Sequence, residues 1–139
     1  MSASTLEGDG RALGTLEGHR YVRLTTRRKN GEQVPTPVWF ALVGDLAYVF
    51  TDVESGKAKR IRADPRVTLA PSDWRGRPLG GSIPATARFV DEAEEGFADR
   101  ALREKYGWQY ALAQTVLWLL GKSEQHTFLE LRRSASGSP

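Results

Sequence analysis

The stretch from Tyr21 to Leu42 constrains the fold most. Tyr21-Val-Arg-Leu-Thr-Thr26 alternates apolar and polar residues as a half-buried strand does, Lys29-Asn-Gly-Glu32 supplies a tight turn of the Asn-Gly kind, and Val34 to Leu42 returns as a second strand. A hairpin of this sort starts an antiparallel meander. Gly44-Asp45 turns into a third run, Leu46 to Thr51, and Ser55 then caps a short helix that Asp64-Pro65 stops. Val67 to Ala70 and Ala85 to Val90 are further strands, and His126 to Leu131 closes the series. Between the last two lies a helical pair: Asp91 with Glu94 forms a capping pair ahead of a helix reaching about Tyr106, with Phe97, Ala101 and Leu102 at helical spacing. A second helix runs from Trp108 to Leu120 and ends at Gly121. Six short strands, one connecting helix and a late helical pair predict a mainly β (α+β) domain, a small antiparallel barrel rather than a parallel βαβ sheet.

The domain is expected over residues 13–133, after a disordered lead at 1–12 and before a flexible tail at 134–139. Arg11 to Gly18 adds a helical turn in this reading. A chain of 139 residues buries enough apolar surface for one domain without staples, and with no cysteine it has no disulfide, thiolate metal site or thiol nucleophile. The first ten residues carry neither a basic region nor an apolar core, which points to the cytoplasm. Ala111 to Leu120 is interrupted by Gln114 and Thr115 and falls short of the roughly 20 residues of a membrane span. The net charge of +3 is mild, and aromatics are not interleaved with the basic clusters, which argues against nucleic-acid binding.

Chemistry concentrates after the third strand. Ser55 at a helix start, with the amides that follow it and the cations Lys57, Lys59, Arg60 and Arg62, forms a natural anion site that suits a phosphate. Residues three apart share one helix side, so Lys57 and Arg60 form one pair and Lys59 and Arg62 a second, solvated one. The glycine-rich loop from Asp73 to Gly81 carries Trp74 and Arg75 and is a second candidate. The apolar residues of the late helix, from Trp108 through Leu112 and Val116 to Leu120, occupy more than one stripe, with Trp118 on a different side, and call for burial on several faces, in an interface as well as in a core. His19 and His126 lack companions at ligand spacing, and no Gly-X-Ser-X-Gly elbow occurs, so neither a metal nor a serine nucleophile is expected.

Taken in order, Leu24-Thr-Thr-Arg27, Gly31, Pro35-Thr-Pro-Val-Trp-Phe40, Thr51, Ser55-Gly-Lys57, Arg60-Ile61, Asp64-Pro-Arg-Val-Thr-Leu69 and Arg75-Gly76 resemble the flavin-type split β-barrel superfamily of the pyridoxamine 5'-phosphate oxidases. The closest resemblance is to the branch that uses the deazaflavin coenzyme F420, and it spans about Tyr21 to Arg133. It implies a homodimeric split barrel with two sites at the interface. It also implies that Thr36, Pro37, Val38 and Trp39 line the tricyclic ring, mainly through backbone, and that Ser55, Gly56 and Lys57 cradle the phosphate with help from Arg60. Thr25 and Thr51 then serve the ribityl chain, and Trp74 and Arg75 complete the pocket. The activity implied is hydride transfer from reduced F420 to an electron-poor small molecule, a quinone, enone or nitroaromatic. Catalytic side chains remain unassigned, with Tyr106 or Tyr110 as candidate proton donors. An FMN-dependent oxidase, or a non-enzymatic carrier of F420 or a tetrapyrrole, fits the same barrel. F420's polyglutamate tail favours it over FMN because it gives the extra cations a partner.

Overall fold

A computed structural model describes residues 13–121 and 126–134. The expected lead at 1–12 and all but the first residue of the expected tail lie outside the described residues, as do the first two residues of the expected turn at Arg11 to Gly18 and the side chain of Trp118. After a 3-10 turn at Gly14–Leu16 come β1 (Tyr21–Arg27), β2 (Gln33–Trp39), β3 (Ala41–Val43), β4 (Leu46–Asp52), α1 (Gly56–Ala63), β5 (Arg66–Ser72), β6 (Ile83–Phe89), α2 (Glu92–Tyr106), α3 (Trp108–Leu119) and β7 (His126–Arg133). All strand pairs are antiparallel, in one sheet of order β2-β1-β5-β6-β7-β4-β3.

Among the described residues seven strands replace the six expected, because Val34 to Leu42 is not one strand. The break falls at Phe40, whose ring is fully buried. Its N–H donates to the Tyr106 hydroxyl oxygen at 3.0 Å, and its carbonyl accepts from that hydroxyl at 2.8 Å. With both main-chain groups held by a side chain, the strand leaves the β1 ladder, and Ala41–Val43 pairs with Leu46–Tyr48 instead. This single residue sets the architecture. β2 and β3 stand at opposite ends of the strand order yet are joined through Phe40, so the sheet must curl round on itself.

The same break leaves an opening. Along β4 only Leu46–Tyr48 pairs with β3, so on that side Val49–Asp52 has no strand partner among the described residues, while β2 is paired on one edge alone. β2 and β4 approach each other here without forming a ladder, and the result is a slot in the barrel wall.

Inside the wall, Val22, Leu24, Val49, Leu69, Leu129 and Leu131 form an aliphatic core with no exposed surface. Outside it, α2 and α3 cover β3 and β4 with an aromatic cluster that includes Trp39, Tyr48, Tyr106, Tyr110 and Phe128. The predicted caps form: Ser55 Oγ accepts from the Ala58 amide at 3.1 Å, and Asp91 with Glu94 makes a reciprocal capping box. The buried stripe of α2 is Ala98, Leu102 and Tyr106, while Phe97 stays largely exposed, its ring edge against Tyr48 at 5.7 Å. On α3, Trp108, Leu112, Val116 and Leu119 form one stripe that this chain leaves exposed, with Trp108 72% accessible. No helix among the described residues is long and apolar enough to cross a membrane.

Candidate functional site

The lower end of the slot is closed by α1. Ala58 and Ile61 anchor this helix in the core, which aims its first turn at the strand ends. Lys57 Nζ donates to Thr51 Oγ1 at 3.0 Å, and Arg60 Nε donates to Thr26 Oγ1 at 2.6 Å. The Arg60 guanidinium folds back over Gly56, where a Cβ would meet its terminal nitrogen at 2.8 Å. Gly56 therefore keeps the helix start open to its own arginine. Thr51, Ser55, Gly56, Lys57 and Arg60 are thus brought together.

Neither Lys57 nor Arg60 forms a salt bridge among the described residues. Burial, with the Arg60 charge beside it, lowers the Lys57 pKa, and Asp52 opposes the shift. Arg60 is lowered in turn by burial and by Arg28. Two partly buried cations, each lowered by burial and by a neighbouring arginine, beside the open amides of a helix start are an arrangement that an anion relieves. A hydroxyl can donate while it accepts, so Ser55 keeps its proton for such a ligand. The donor set fits a phosphate.

Further along the same side, Arg27, Arg28 and Lys29 of the β1–β2 turn face Ala63 and Arg66 across a basin of about 380 Å³. Asp64, the acidic member, is gripped by Arg66 at 2.9 and 3.0 Å, which lowers its pKa to about 2. Of the second helical pair, Lys59 is exposed. Arg62 is exposed as well, and it donates to the Val53 carbonyl at 2.6 Å and lies over the Phe89 ring at 5.1 Å.

The ring-lining quartet divides between two faces. Thr36 and Val38 pair with Leu24 and Val22 and share their inward face, whereas Pro37 and Trp39 face outward. Trp39 stacks on Tyr106 with centroids 4.5 Å apart and planes 9° from parallel, so its ring belongs to the outer cluster. Thr25 pairs with Pro35 and Thr68 on the outer side, and the threonine that reaches the cradle is Thr26. The strict alternation of Tyr21 to Thr26 carries that signal, since it puts Thr26 on the face of Val22 and Leu24.

Trp74 and Arg75 lie elsewhere. Their loop is pinned by Asp73, whose carboxylate accepts the Arg75 and Arg77 amides at 2.9 Å each and the Arg77 side chain at 2.8 Å. Gly76, at φ +88°, brings the loop against the outward side of Pro37, where a Cβ would stand 3.3 Å from the proline ring. Trp74 is 64% exposed under the Arg75 guanidinium, on the far face of β2 from the cradle. The two candidate acids are engaged as well. The Tyr106 hydroxyl is shared between the Phe40 and Arg20 carbonyls at 2.8 and 2.7 Å, and burial raises its pKa to about 12. Tyr110 donates to Asp99 at 2.9 Å, and burial followed by that carboxylate raises its pKa. No metal-binding group of acidic, histidine or cysteine side chains exists among the described residues.

Comparison with known proteins adds the family. Residues 10–132 match the model of the family described as pyridoxamine 5'-phosphate oxidase. None of the curated proteins matches. Among solved structures, the haem storage protein of Vibrio cholerae is similar over 92% of this chain and 91% of its own, at 13% identity and a TM-score of 0.64. An FAD-binding protein of Mesorhizobium loti is similar over 91% and 88%, at 18% identity and 0.62. An F420 reductase is similar over 88% and 92%, at 18% identity and 0.57. At such identities the likeness is one of fold.

Proposed function

The chain belongs to the pyridoxamine 5'-phosphate oxidase family, and within it we propose that it is an F420-dependent oxidoreductase acting on an electron-poor small molecule of quinone, enone or nitroaromatic type. The observation that carries this reading is the Lys57–Arg60 pair at the start of α1, free of any carboxylate bridge among the described residues and opening on the slot beside Thr36 and Val38. In this reading Ser55, Gly56, Lys57 and Arg60 hold the phosphate, and Thr51 lies next to them. The basin of Arg27, Arg28 and Lys29 takes further negative charge, which favours F420 with its acidic tail over FMN. When bound, the reduced group supplies a hydride and releases a proton, and the acceptor takes up that hydride and a proton from water. The chain positions both molecules. The working unit is a cytoplasmic homodimer, in which the exposed Trp74 and Arg75 reach the partner's site; light scattering should give about twice the 15.4 kDa chain mass.

Fluorescence titration with F420 and FMN side by side tests the cofactor. F420 should bind the more tightly, more weakly in salt, and Lys57→Ala should cost about 1.5–3 kcal/mol, the worth of a charged hydrogen bond. Because the free protein lowers the Lys57 pKa and a bound phosphate raises it again, affinity should fall as pH rises through the free-state value. Unchanged affinity in Lys57→Ala removes the phosphate site, and tighter FMN binding removes the cofactor assignment. A carrier of the same cofactor is the second reading, favoured by the engagement of both tyrosine hydroxyls, since a carrier needs no acid. Tight binding without turnover across a panel of acceptors would decide for it.

A further inference from the structure

Above the cradle, the strands that bound the slot meet the helical pair. Val38 and Trp39 of β2, Phe50 of β4, Leu102 of α2 and Leu117 of α3 enclose a cavity of about 210 Å³. Leu102 and Tyr110 form a buried floor, while Trp39, Phe50 and Leu117 are half-buried, so the space is open on one side. Its rings are already held: Trp39 by its stack on Tyr106, and Phe50 by an edge-on contact with Tyr110 at 6.2 Å and 86°.

The lining contains no acidic or basic side chain, and its polar groups are the Trp39 indole N–H, the Tyr110 hydroxyl and the Gln114 amide. Gln114 reaches the Tyr110 hydroxyl, but an amide carries two N–H donors, which leaves one for a ligand oxygen. The volume lies below the roughly 300–1,000 Å³ of drug-sized pockets. Flat walls, small size, no charge and one amide describe an uncharged molecule of one or two fused rings with a carbonyl or nitro oxygen.

We infer that this cavity is the acceptor subsite, taking the ring of such a molecule between Trp39, Phe50 and Leu117 with its oxygen on Gln114. Its use in hydride transfer rests on the reading proposed above; its capacity to bind does not. Equilibrium dialysis of the full chain, without cofactor, against 1,4-naphthoquinone, its 2-sulfonate and naphthalene tests it, and a chain without cysteine offers no thiol for the quinone to alkylate. The sulfonate should bind about tenfold more weakly or worse than the parent quinone, because its charge would be stranded. Ala113→Leu, which narrows the cavity, should weaken naphthoquinone and naphthalene alike by about tenfold. Gln114→Leu should weaken the quinone by roughly fivefold and leave naphthalene unchanged. F420 affinity should stay within about twofold in both variants. If Ala113→Leu fails to fold, Gln114→Leu at its half-buried position decides alone. Equal binding of the sulfonate, or a quinone affinity indifferent to both substitutions while F420 binds normally, overturns the cavity and spares the cofactor reading. Naphthoquinone behaving as stated while F420 fails to bind does the reverse.

Discussion

The two faces of β4 meet different chemistry. Ala47 and Val49 turn inward to Leu24, Leu129 and Leu131, an interior that is aliphatic except for Phe40 and the edge at Phe89, whereas Tyr48 and Phe50 turn outward to Phe128, Tyr106 and Tyr110. Inside, nothing but shape and area holds the parts together. Outside, each phenol adds a polar tether: Tyr106 to Phe40 and Arg20, Tyr110 to Asp99, and Tyr48 to the buried Glu130, which Arg88 clamps at 2.9 and 3.0 Å. The interior is closed and sets the curl of the sheet. The exterior fixes where helices sit on that sheet, and it keeps half-buried rings and a cavity beside the slot.

That contrast predicts unequal responses to small deletions. Leu129→Ala removes a fully buried side chain from the interior and should cost about 2–5 kcal/mol in urea denaturation, by lost transfer energy and the void left behind. Tyr106→Phe removes one oxygen from the exterior and should cost about 1–3 kcal/mol, because the buried Phe40 amide and carbonyl lose the partner that replaces a ladder there. If the tyrosine variant proved the more damaging of the two, the hydroxyl lock at Phe40, not the aliphatic core, would be what closes the barrel.

The lock also explains where the sequence could be read and where it could not. The hairpin, the Ser55 cap, the stop at Asp64-Pro65 and the Asp91 capping box rest on neighbours a few residues apart, and each is present in the structure. The break at Phe40 rests on a tyrosine 66 residues away, so Val34 to Leu42 reads as a single strand. The face of each threonine is legible from alternation, yet Thr25 attracts the eye before Thr26 unless the period is followed to the strand end. Lys57 and Arg60 follow from helical spacing, and so does their nearness in space. That Arg62 is occupied by the Val53 carbonyl does not, because nothing in the spacing distinguishes it from Lys59. The exposed stripe of α3 is the converse: a helix apolar on several faces predicts burial, and only the placement of α2 and the sheet decides which face stays uncovered.

Lys105 offers the finest test of the contrast, since it sits where the exterior meets the lock. Its Nζ donates to the His19 carbonyl at 2.8 Å and lies 3.4 Å from the centre of the Phe40 ring and 5.1 Å from that of Tyr106. Burial, helped by Arg20 and opposed by Glu17, lowers its pKa to about 8. A lysine that loses its proton more readily when folded penalises the folded state while both states are charged. As pH rises through 8 the folded chain sheds that proton first, so stability should climb until the unfolded lysine also titrates near 10.5. Tyr106 and Tyr110 act in the opposite sense above about pH 10, where the unfolded phenols ionise and the folded ones resist, so the rise is confined to pH 8–10. With half the side chain in solvent, screening should hold the gain below about 1 kcal/mol. Urea midpoints at pH 7, 8.5 and 10 should therefore increase in the wild-type chain, and Lys105→Met should flatten the slope without abolishing it, because Lys57 is shifted the same way. A wild-type profile that is flat over this window, or one that Lys105→Met leaves unaltered, would mean that the Phe40 ring stabilises the ammonium enough to offset its burial. The exterior would then hold a partly desolvated charge as comfortably as it holds its phenols.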